Sequence, residues 1–322
     1  MTLDIKPLEQ QTTDRGSFRH EQMSLRPILL TLFLCLLWGG LTPALKWSLQ
    51  GMPPLAIAAW RFLLGWVCIW AWSLYRKIPL FPATRQHLAL LPLGLLFILQ
   101  ISVLNIGTGY TTSGYAVVLL NTSPLFVALL AHRLIPGDRL TGKKALGLLL
   151  AFAGVSAIFL ESSSAQNIVV GNVLTLLSGF LLGLIYIYMK HLLRTLGPIQ
   201  VVFWEMAYGV PGFFLLSYLL EGGVEYELSA EVLMGVFYQG LVIAGFCFLV
   251  WTVLLGRYAA SQLTSFQFSI PIFGVLLSSL LLGETLTLRF LLGVGAVASG
   301  IFIVSRAGDE SITEPTRASS KH

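Results

Sequence analysis

Two ionisable side chains lie inside long apolar stretches of this sequence, where charge is costly. Arg61 lies in the stretch 55–75 and Glu205 in the stretch 199–220. A charged side chain at the centre of a membrane helix costs roughly 2.5–3.5 kcal/mol to insert, so each residue requires a reason. The guanidinium of Arg61 suits an anionic group such as a carboxylate or phosphate. The carboxylate of Glu205 suits an amine or a carried proton.

A structural role is the alternative for both charges, each locking its helix to a neighbour through hydrogen bonds to carbonyls or to an acid. Each residue lies about seven positions into its stretch from opposite faces, which is roughly 10 Å of helix. In a hydrocarbon core about 30 Å thick the two residues then differ in depth by roughly 10 Å. A direct salt bridge between Arg61 and Glu205 is therefore not expected, although the long arginine side chain could cover part of the gap.

A third cation continues a row of residues on one face of the first stretch. Trp38, Thr42 and Lys46 are spaced by four and therefore share a helix face. Lys46 could guide anionic substrates at the outer mouth of a cavity, or its amine could reach lipid headgroups. For Lys190, at the cytoplasmic end of the sixth stretch, the headgroup interpretation is favoured.

Uncharged polar and aromatic side chains extend the candidate site. Cavity lining and hydrogen bonding between helices are equally plausible for the polar ones, and packing is the commoner role of a buried aromatic ring. The polar candidates are Asn105, Tyr115, Asn121, Gln239 and Gln267, and the aromatic candidates for stacking on a substrate are Trp38, Trp60, Tyr186 and Trp204. In the third stretch, Ser102, Asn105, Gly109 and Thr112 form a polar face, and Gln100 lies off it.

Two prolines occupy equivalent centres of apolar stretches. Pro124 and Pro271 each remove a backbone donor and free a carbonyl, which favours a bend. These positions are the predicted gating points.

The elements that must position these residues are membrane helices. Of the 322 residues, 56% are hydrophobic and 11% charged, with a mean hydropathy of +0.80. Soluble domains carry about 25% charged residues, so a soluble enzyme or a disordered chain is excluded. Ten apolar stretches, each near the roughly 20 residues that span a bilayer, predict an all-α polytopic membrane protein with ten transmembrane helices. The stretches are 28–48, 55–75, 88–106, 113–133, 143–161, 171–190, 199–220, 232–252, 262–282 and 288–306.

The positions of the basic residues predict the orientation. With the N-terminus inside, 17 of the 20 Lys and Arg residues fall in the tails or cytoplasmic loops. The predicted outer loop after the seventh helix carries Glu221, Glu225, Glu227 and Glu231 and no base. Both termini are therefore expected in the cytoplasm. The net charge of +5 is a topological signal, so nucleic acid is not an expected partner.

The two halves of the chain repeat each other. A shift of 144 residues places Pro54 on Pro198 and Trp60 on Trp204, and a shift of 147 places Pro124 on Pro271. We divide the chain into a tail at 1–27, repeats at 28–162 and 171–306, and a tail at 307–322. Because five helices is an odd number, the second repeat must be inverted, as in many secondary transporters.

Sequence motifs for other kinds of chemistry are absent. The sequence has no GxxxxGK[ST] for ATP and no HExxH or GxSxG, so it is not expected to be an enzyme. Its five histidines lie in tails or near inner helix ends, and its three cysteines form no CxxC pair. Neither a cofactor nor a metal site is expected.

Several local segments resemble the EamA type of the drug/metabolite transporter superfamily. They are Leu37-Trp38-Gly39-Gly40, Trp60-Arg61-Phe62, the Pro271 segment with Gly283-Glu284 after it, and the glycine-spaced helix 289–306. Asp138 in the first repeat replaces the glutamate that is usual in the second. The resemblance implies a transporter of small metabolites, often an exporter of amino acids. It also implies a central cavity lined by helices 1–4 and 6–9, with helices 5 and 10 outside it.

The sequence therefore predicts a secondary transporter that exports or exchanges amino acids or related compounds by alternating access. Its predicted partners are a small-molecule substrate and the lipid bilayer, with protons as a candidate coupling ion. It is expected in a bacterial inner membrane, as a monomer or a weak homodimer. A channel-like facilitator or a structural component of a membrane complex is the alternative, and a membrane enzyme is third.

Overall fold

The chain folds into helices throughout the residues that its computed structural model describes, which are 21–111, 113–159, 168–222, 225–282 and 288–318. No strand occurs within these ranges. Gly283-Glu284 and the outermost residues of both tails lie outside them. The all-helical prediction is confirmed.

Ten helical segments follow the predicted stretches, several of them interrupted, and we number them α1–α10. The first five are α1 (Leu25–Gly39 and Leu41–Ser48), α2 (Pro54–Arg76), α3 (Leu91–Tyr110, after a short helix Thr84–Leu88), α4 (Ser113–Leu120 and Ser123–Leu134) and α5 (Gly142–Phe159). The next three are α6 (Ile168–Leu192), α7 (Pro198–Glu221) and α8 (Ala230–Phe237, a π-helical Tyr238–Cys247, and Phe248–Arg257). The last two are α9 (Ala260–Ser265, a 3₁₀ turn Phe266–Ser269, and Ile270–Leu282) and α10 (Leu288–Ala318).

Length and composition make this a polytopic membrane protein. Seven described helices are long and apolar enough to cross a bilayer. They correspond to α1–α4 and α6–α8. Large apolar side chains such as Leu95, Leu149 and Phe302 are exposed on the outside of the bundle, where lipid replaces water as the solvent.

Helices α5 and α10 pack tightly against each other along small residues. A Cβ atom added to Gly154 would lie 2.7 Å from the carbonyl oxygen of Gly293, and one added to Gly147 would lie 2.7 Å from that of Gly300. Backbones approach this closely only where side chains are absent. The small residues of these two helices therefore form a helix–helix contact.

One end of the bundle, which we name the Glu221 end, holds the start of α2. The Glu221 carboxylate, at the end of α7, accepts hydrogen bonds from the backbone N–H groups of Leu55 at 2.8 Å and Ala56 at 3.0 Å. These N–H groups belong to the first turn of α2, and the N–H groups of a first turn have no hydrogen-bond partners within the helix. Because the end of α7 meets the start of α2, these two helices run in opposite directions, as an inverted repeat requires. The division of the chain into repeats stays a prediction.

At the opposite end, which we name the Asp138 end, a buried polar network connects helices. Asp138 and Lys144 are each 1% exposed and form an ion pair at 3.2 Å. The Asp138 carboxylate also accepts hydrogen bonds from the Ser261 hydroxyl and, at 2.9 Å, from the Ser261 N–H. Lys144 donates to the Ser261 hydroxyl at 3.3 Å. This network joins the α4–α5 connection to the start of α9.

Lys190 belongs to the same end, and its predicted role is wrong. Its ammonium is buried and donates to the carbonyl oxygens of Leu255 and Tyr258, each at 2.6 Å. The carbonyls at the end of a helix have no partner within the helix, and a cation there satisfies both their hydrogen bonds and the helix dipole. Lys190 therefore stabilises the end of α8, and its amine does not reach lipid headgroups.

Candidate functional site

A cavity of about 340 Å³ lies among eight helices of the bundle. Its described lining residues come from α1–α4 and α6–α9, and α5 and α10 contribute none of them. This arrangement matches what the resemblance implied. A smaller pocket of about 200 Å³ shares Leu45, Arg61, Asn105 and Thr108 with it and continues to Pro54. The space therefore extends toward the Glu221 end.

Aromatic rings form much of the cavity wall. The rings of Trp38 and Trp251 meet edge to face with centroids 5.2 Å apart. Phe62 meets Phe97 at 4.7 Å and Phe248 at 5.7 Å, also edge to face. Such ring pairs pack with defined geometry, so the wall holds its shape and offers an apolar surface to a ligand.

Arg61 brings a positive charge to this wall. Its guanidinium carbon lies 4.4 Å from the centroid of the Phe62 ring. This cation–π contact offsets part of the hydration that the buried guanidinium loses. Its Nε atom is buried and has no hydrogen-bond partner among the described residues. The guanidinium lines both the main cavity and the smaller pocket. An anion that enters from the Glu221 end would meet it first.

Glu205 brings a negative charge to the same cavity. Its side chain on α7 is 2% exposed, and its Oε2 atom has no hydrogen-bond partner within the described residues. No ion pair joins Glu205 to Arg61 in the part of the chain that the structure describes. A buried charge without a partner is destabilising, so the fold keeps two opposite charges that only a ligand, water or a proton can satisfy.

Four polar candidates line the cavity and also bond to the protein through their amide nitrogens. Asn121 donates to the Val117 carbonyl at 2.8 Å, and Gln239 donates to the Ser48 hydroxyl at 2.9 Å and the Gly235 carbonyl at 3.1 Å. Gln267 lies 2.7 Å from the Tyr186 hydroxyl, and Asn105 lies 3.5 Å from the Pro54 carbonyl. The sequence left two roles open, cavity lining and bonding between helices. Gln239, Gln267 and Asn105 do both.

Four cavity helices are irregular where they meet the cavity, and the first of them, α1, is interrupted at Gly40. Helix α4 is interrupted between Leu120 and Ser123, and Pro124 lies in the first turn of its second segment. Helix α9 begins its last segment at Ile270, immediately before Pro271 and after a 3₁₀ turn. Helix α8 is π-helical over Tyr238–Cys247. π-helical turns and proline bends are common at functional sites, and the gating role of both prolines stays a prediction.

Two predicted aromatic residues lie outside the cavity. Trp60 is 40% exposed and its ring packs on Phe214 with centroids 5.5 Å apart. Trp204 donates its indole N–H to the Leu80 carbonyl at 2.9 Å and packs against His87 at 4.1 Å. Each ring sits on the outward side of the charged residue beside it, because neighbours in a helix point about 100° apart. The side chains of Thr42, Lys46 and Tyr115 lie outside the described part.

The cavity also includes Trp251 and Thr252, which the sequence did not mark as candidates, and Gln100, which was placed off the polar face of α3. On α3 the cavity face is the row Phe97, Gln100, Ile101, Leu104, Asn105 and Thr108. The predicted polar face started from Ser102, which is buried away from the cavity. Gln100, Leu104 and Thr108 are spaced by four and share the cavity face, but α3 is apolar nearly all round, so this row is a weak signal in the sequence.

No group of three or more His, Cys, Asp or Glu side chains suited to a metal ion occurs among the described residues.

Comparisons with known proteins agree with this architecture. The model of the EamA-like transporter family matches residues 25–160 and again residues 169–306. An uncharacterized transporter of Archaeoglobus fulgidus is 30% identical over 275 residues, covering 84% of this chain and 95% of its own. A probable amino-acid metabolite efflux pump of Escherichia coli is 26% identical, covering 87% of this chain and 95% of its own.

A solved crystal structure shares the fold. It is 17% identical in sequence, with a TM-score of 0.76, and the match covers 89% of this chain and 99% of the other. The two family matches agree with this shared fold, with the eight-helix cavity and with the pairing of α5 and α10. The chain belongs to the EamA-like transporter family, within the drug/metabolite transporter superfamily.

Proposed function

We propose that this protein is a secondary transporter that exports or exchanges amino acids or related compounds through the central cavity. The observation that carries the proposal is one cavity faced by an unpaired cation, Arg61, and an unpaired anion, Glu205, among the described residues. A molecule with a carboxylate and an amine can satisfy both charges. The aromatic wall suits the remainder of such a molecule.

The size of the cavity supports a small substrate. Its volume of about 340 Å³ lies at the low end of the roughly 300–1,000 Å³ found for ligand pockets. In this scheme Arg61 contacts the carboxylate, and Glu205 contacts the amine or carries a proton. Two relatives named probable amino-acid metabolite efflux pumps, from Escherichia coli at 26% identity and Salmonella typhimurium at 27%, support the substrate class.

Alternating access requires two ends that open in turn, and the two ends of this bundle differ. The cavity continues toward the Glu221 end, and at the other end the Asp138 network ties the α4–α5 connection to the start of α9. Pro124 and Pro271 lie where α4 and α9 are irregular, so these helices are the proposed moving parts. A channel-like facilitator remains the alternative, and it would need no closure at either end.

The sequence supports the proposed energy source and setting. It contains no ATP-binding motif, and we propose that an ion gradient or exchange drives transport, with protons as the coupling ion. We place the protein in a bacterial inner membrane with both termini in the cytoplasm, as a monomer or weak homodimer.

Counterflow in proteoliposomes tests this function, because only a carrier accelerates uptake of label when unlabelled substrate fills the lumen. The parent protein should show counterflow for at least one amino acid, and Arg61→Met should lower it about tenfold or more by removing a charged hydrogen-bond donor.

The matched control is Arg76→Met on the same helix, where the guanidinium lies over Trp72 outside the cavity. Counterflow that is equal in the parent and Arg61→Met would contradict the anion contact. Label flux that is indifferent to unlabelled substrate inside would favour the facilitator.

A further inference from the structure

We propose that the cavity selects substrates rich in N–H donors, and specifically amino acids whose side chain ends in an amine. This inference rests on the proposed function and narrows its substrate class. It derives from the direction in which the amide side chains of the cavity wall are held. An amide has a donor end and an acceptor end, so holding one end against the protein decides what the other offers to a ligand.

Gln239 shows this most clearly. Its NH₂ group lies within hydrogen-bond distance of the carbonyl oxygens of Ala44, at 3.4 Å, and Gly235, at 3.1 Å. Carbonyl oxygens only accept, so the nitrogen must face them and the amide cannot be turned around. The opposite atom, Oε1, is buried and has no partner among the described residues, and Gln239 is one of the residues that line the cavity. Gln239 therefore presents an acceptor.

Two other amides are held in the same sense. Asn121 donates to the Val117 carbonyl at 2.8 Å, which fixes its orientation. Gln100 donates to the Ser178 hydroxyl at 2.9 Å, and that hydroxyl donates to the Gln100 backbone carbonyl at 3.3 Å, so it can only accept from the amide. Both residues line the cavity, and their side-chain oxygens accept no hydrogen bond from the described residues.

Hydroxyl groups of the wall follow the same rule. The Thr252 hydroxyl donates to the Phe248 carbonyl at 2.8 Å, and the Thr108 hydroxyl donates to the Asn105 carbonyl at 2.9 Å. A hydroxyl has one hydrogen, so each is left with acceptor lone pairs only. Both threonines line the cavity.

Glu205 and Gln267 add two further acceptors. Glu205 Oε2 and Gln267 Oε1 are both buried without a partner in the described part, and Gln267 Nε2 lies 2.7 Å from the Tyr186 hydroxyl. The wall also carries N–H donors, which belong to the Arg61 guanidinium and to the indoles of Trp38 and Trp251. In the proposed function the substrate carboxylate takes the Arg61 guanidinium, and the remaining acceptors then favour a second group with several N–H bonds.

The test compares L-ornithine with L-norvaline, which has the same carbon chain without the terminal amine, and with L-glutamate, whose side chain only accepts. Counterflow by the parent protein should be at least fivefold faster for ornithine than for norvaline, with glutamate slowest. Gln239→Met should reduce the ornithine-to-norvaline ratio by at least threefold, because it removes one acceptor, and Gln267→Met should change the ratio in the same direction. If Gln239→Met fails to fold, Asn121→Leu decides, since the Asn121 amide is held by a single hydrogen bond, to the Val117 carbonyl of its own helix.

The matched control is Gln262→Met. Gln262 is also fully buried, its Nε2 also donates to a carbonyl, that of Ser305 at 3.1 Å, and its Oε1 also lacks a partner among the described residues. It does not line the cavity, so the ratio should not change.

The outcomes separate the two proposals. Norvaline exchange as fast as ornithine exchange in the parent would overturn this inference and leave the transporter function standing. A ratio that falls as much in Gln262→Met as in Gln267→Met would also overturn it. Absence of counterflow for every amino acid would overturn the proposed function, and this inference with it.

Discussion

At the scale of single residues, this protein buries two charged side chains that do not stabilise its fold. Glu205 and Arg61 face one cavity without pairing, and burial of an unpaired charge is costly. Functional sites commonly trade stability for chemistry in this way, because the groups that bind a ligand cannot be satisfied by the protein itself.

We expect Glu205→Gln to lower counterflow of a zwitterionic substrate about tenfold, because a charged acceptor for the amine is lost. Its thermal unfolding temperature in detergent should stay the same or rise, since an unpaired buried charge has been removed. The control is Glu231→Gln at the exposed start of α8. Counterflow that persists in Glu205→Gln while proton-driven accumulation is lost would assign the residue to the proton instead.

At the scale of elements, α5 and α10 form a pair that supports the cavity helices from outside. Their backbones touch at Gly147 and Gly154, and Val155 and Val297 are fully buried between them. A membrane offers no hydrophobic driving force between helices, so close packing must hold this pair together. Size at the contact therefore matters more than polarity.

Gly154→Ala should reduce the free energy of unfolding by about 1–3 kcal/mol, because its Cβ would lie 2.7 Å from the Gly293 carbonyl oxygen and the helices must separate. Gly295→Ala on α10 is the matched control. Its Cβ would meet no atom within 4 Å, and alanine is the better helix former, so stability should be unchanged or slightly higher. Equal unfolding curves for the two variants, measured by circular dichroism in detergent, would contradict the tight contact.

At the scale of the whole molecule, hydrogen bonds at the Asp138 end join the two predicted repeats. Asp138 and Lys144 come from the first repeat, and Ser261 begins α9 in the second. Any motion that opens this end must break hydrogen bonds that are now buried. The buried polar contacts therefore hold this end together, and breaking them to open it costs free energy.

Asp138→Asn should destabilise the protein by about 3–5 kcal/mol, because Lys144 is left buried without its counterion. The double variant Asp138→Asn with Lys144→Met should recover much of the loss by removing that charge as well. Arg139→Gln, an exposed neighbour, is the control and should unfold like the parent. If the double variant is no more stable than the single one in thermal unfolding, the ion pair does not explain the loss.

The helices were predictable from the sequence because membrane insertion is nearly a local property. A backbone in lipid must satisfy its own hydrogen bonds, so a stretch of about 20 apolar residues such as 199–220 becomes a helix whatever its neighbours are. Local sequence also marked α2 and α7, each beginning at a proline in its first turn. Arg61 and Glu205 stood out for the same reason, since charge in an apolar stretch is rare.

The direction that each side chain takes was not predictable to the same degree. Gln100 lies on the cavity face of α3, whereas the polar face assigned to this helix started from Ser102. Helix rotation depends on which neighbours pack on each side, and α3 is apolar nearly all round, so its own sequence marks no clear face. The ring of Trp204 is likewise turned to the Leu80 carbonyl by a loop distant in sequence.

By itself, then, the sequence determined the class of protein, the number and approximate positions of its helices, and the two charges that insertion energy alone makes conspicuous. Tertiary structure alone decided which faces of those helices meet, that Lys190 holds the end of α8, and that cavity amides such as Gln239 hold their nitrogens against the protein. The physical reason is the sequence distance over which each interaction acts. Apolar length and backbone hydrogen bonds act within one helix, whereas the orientation of an amide or a ring depends on a partner that the fold brings from 50 to 200 positions away.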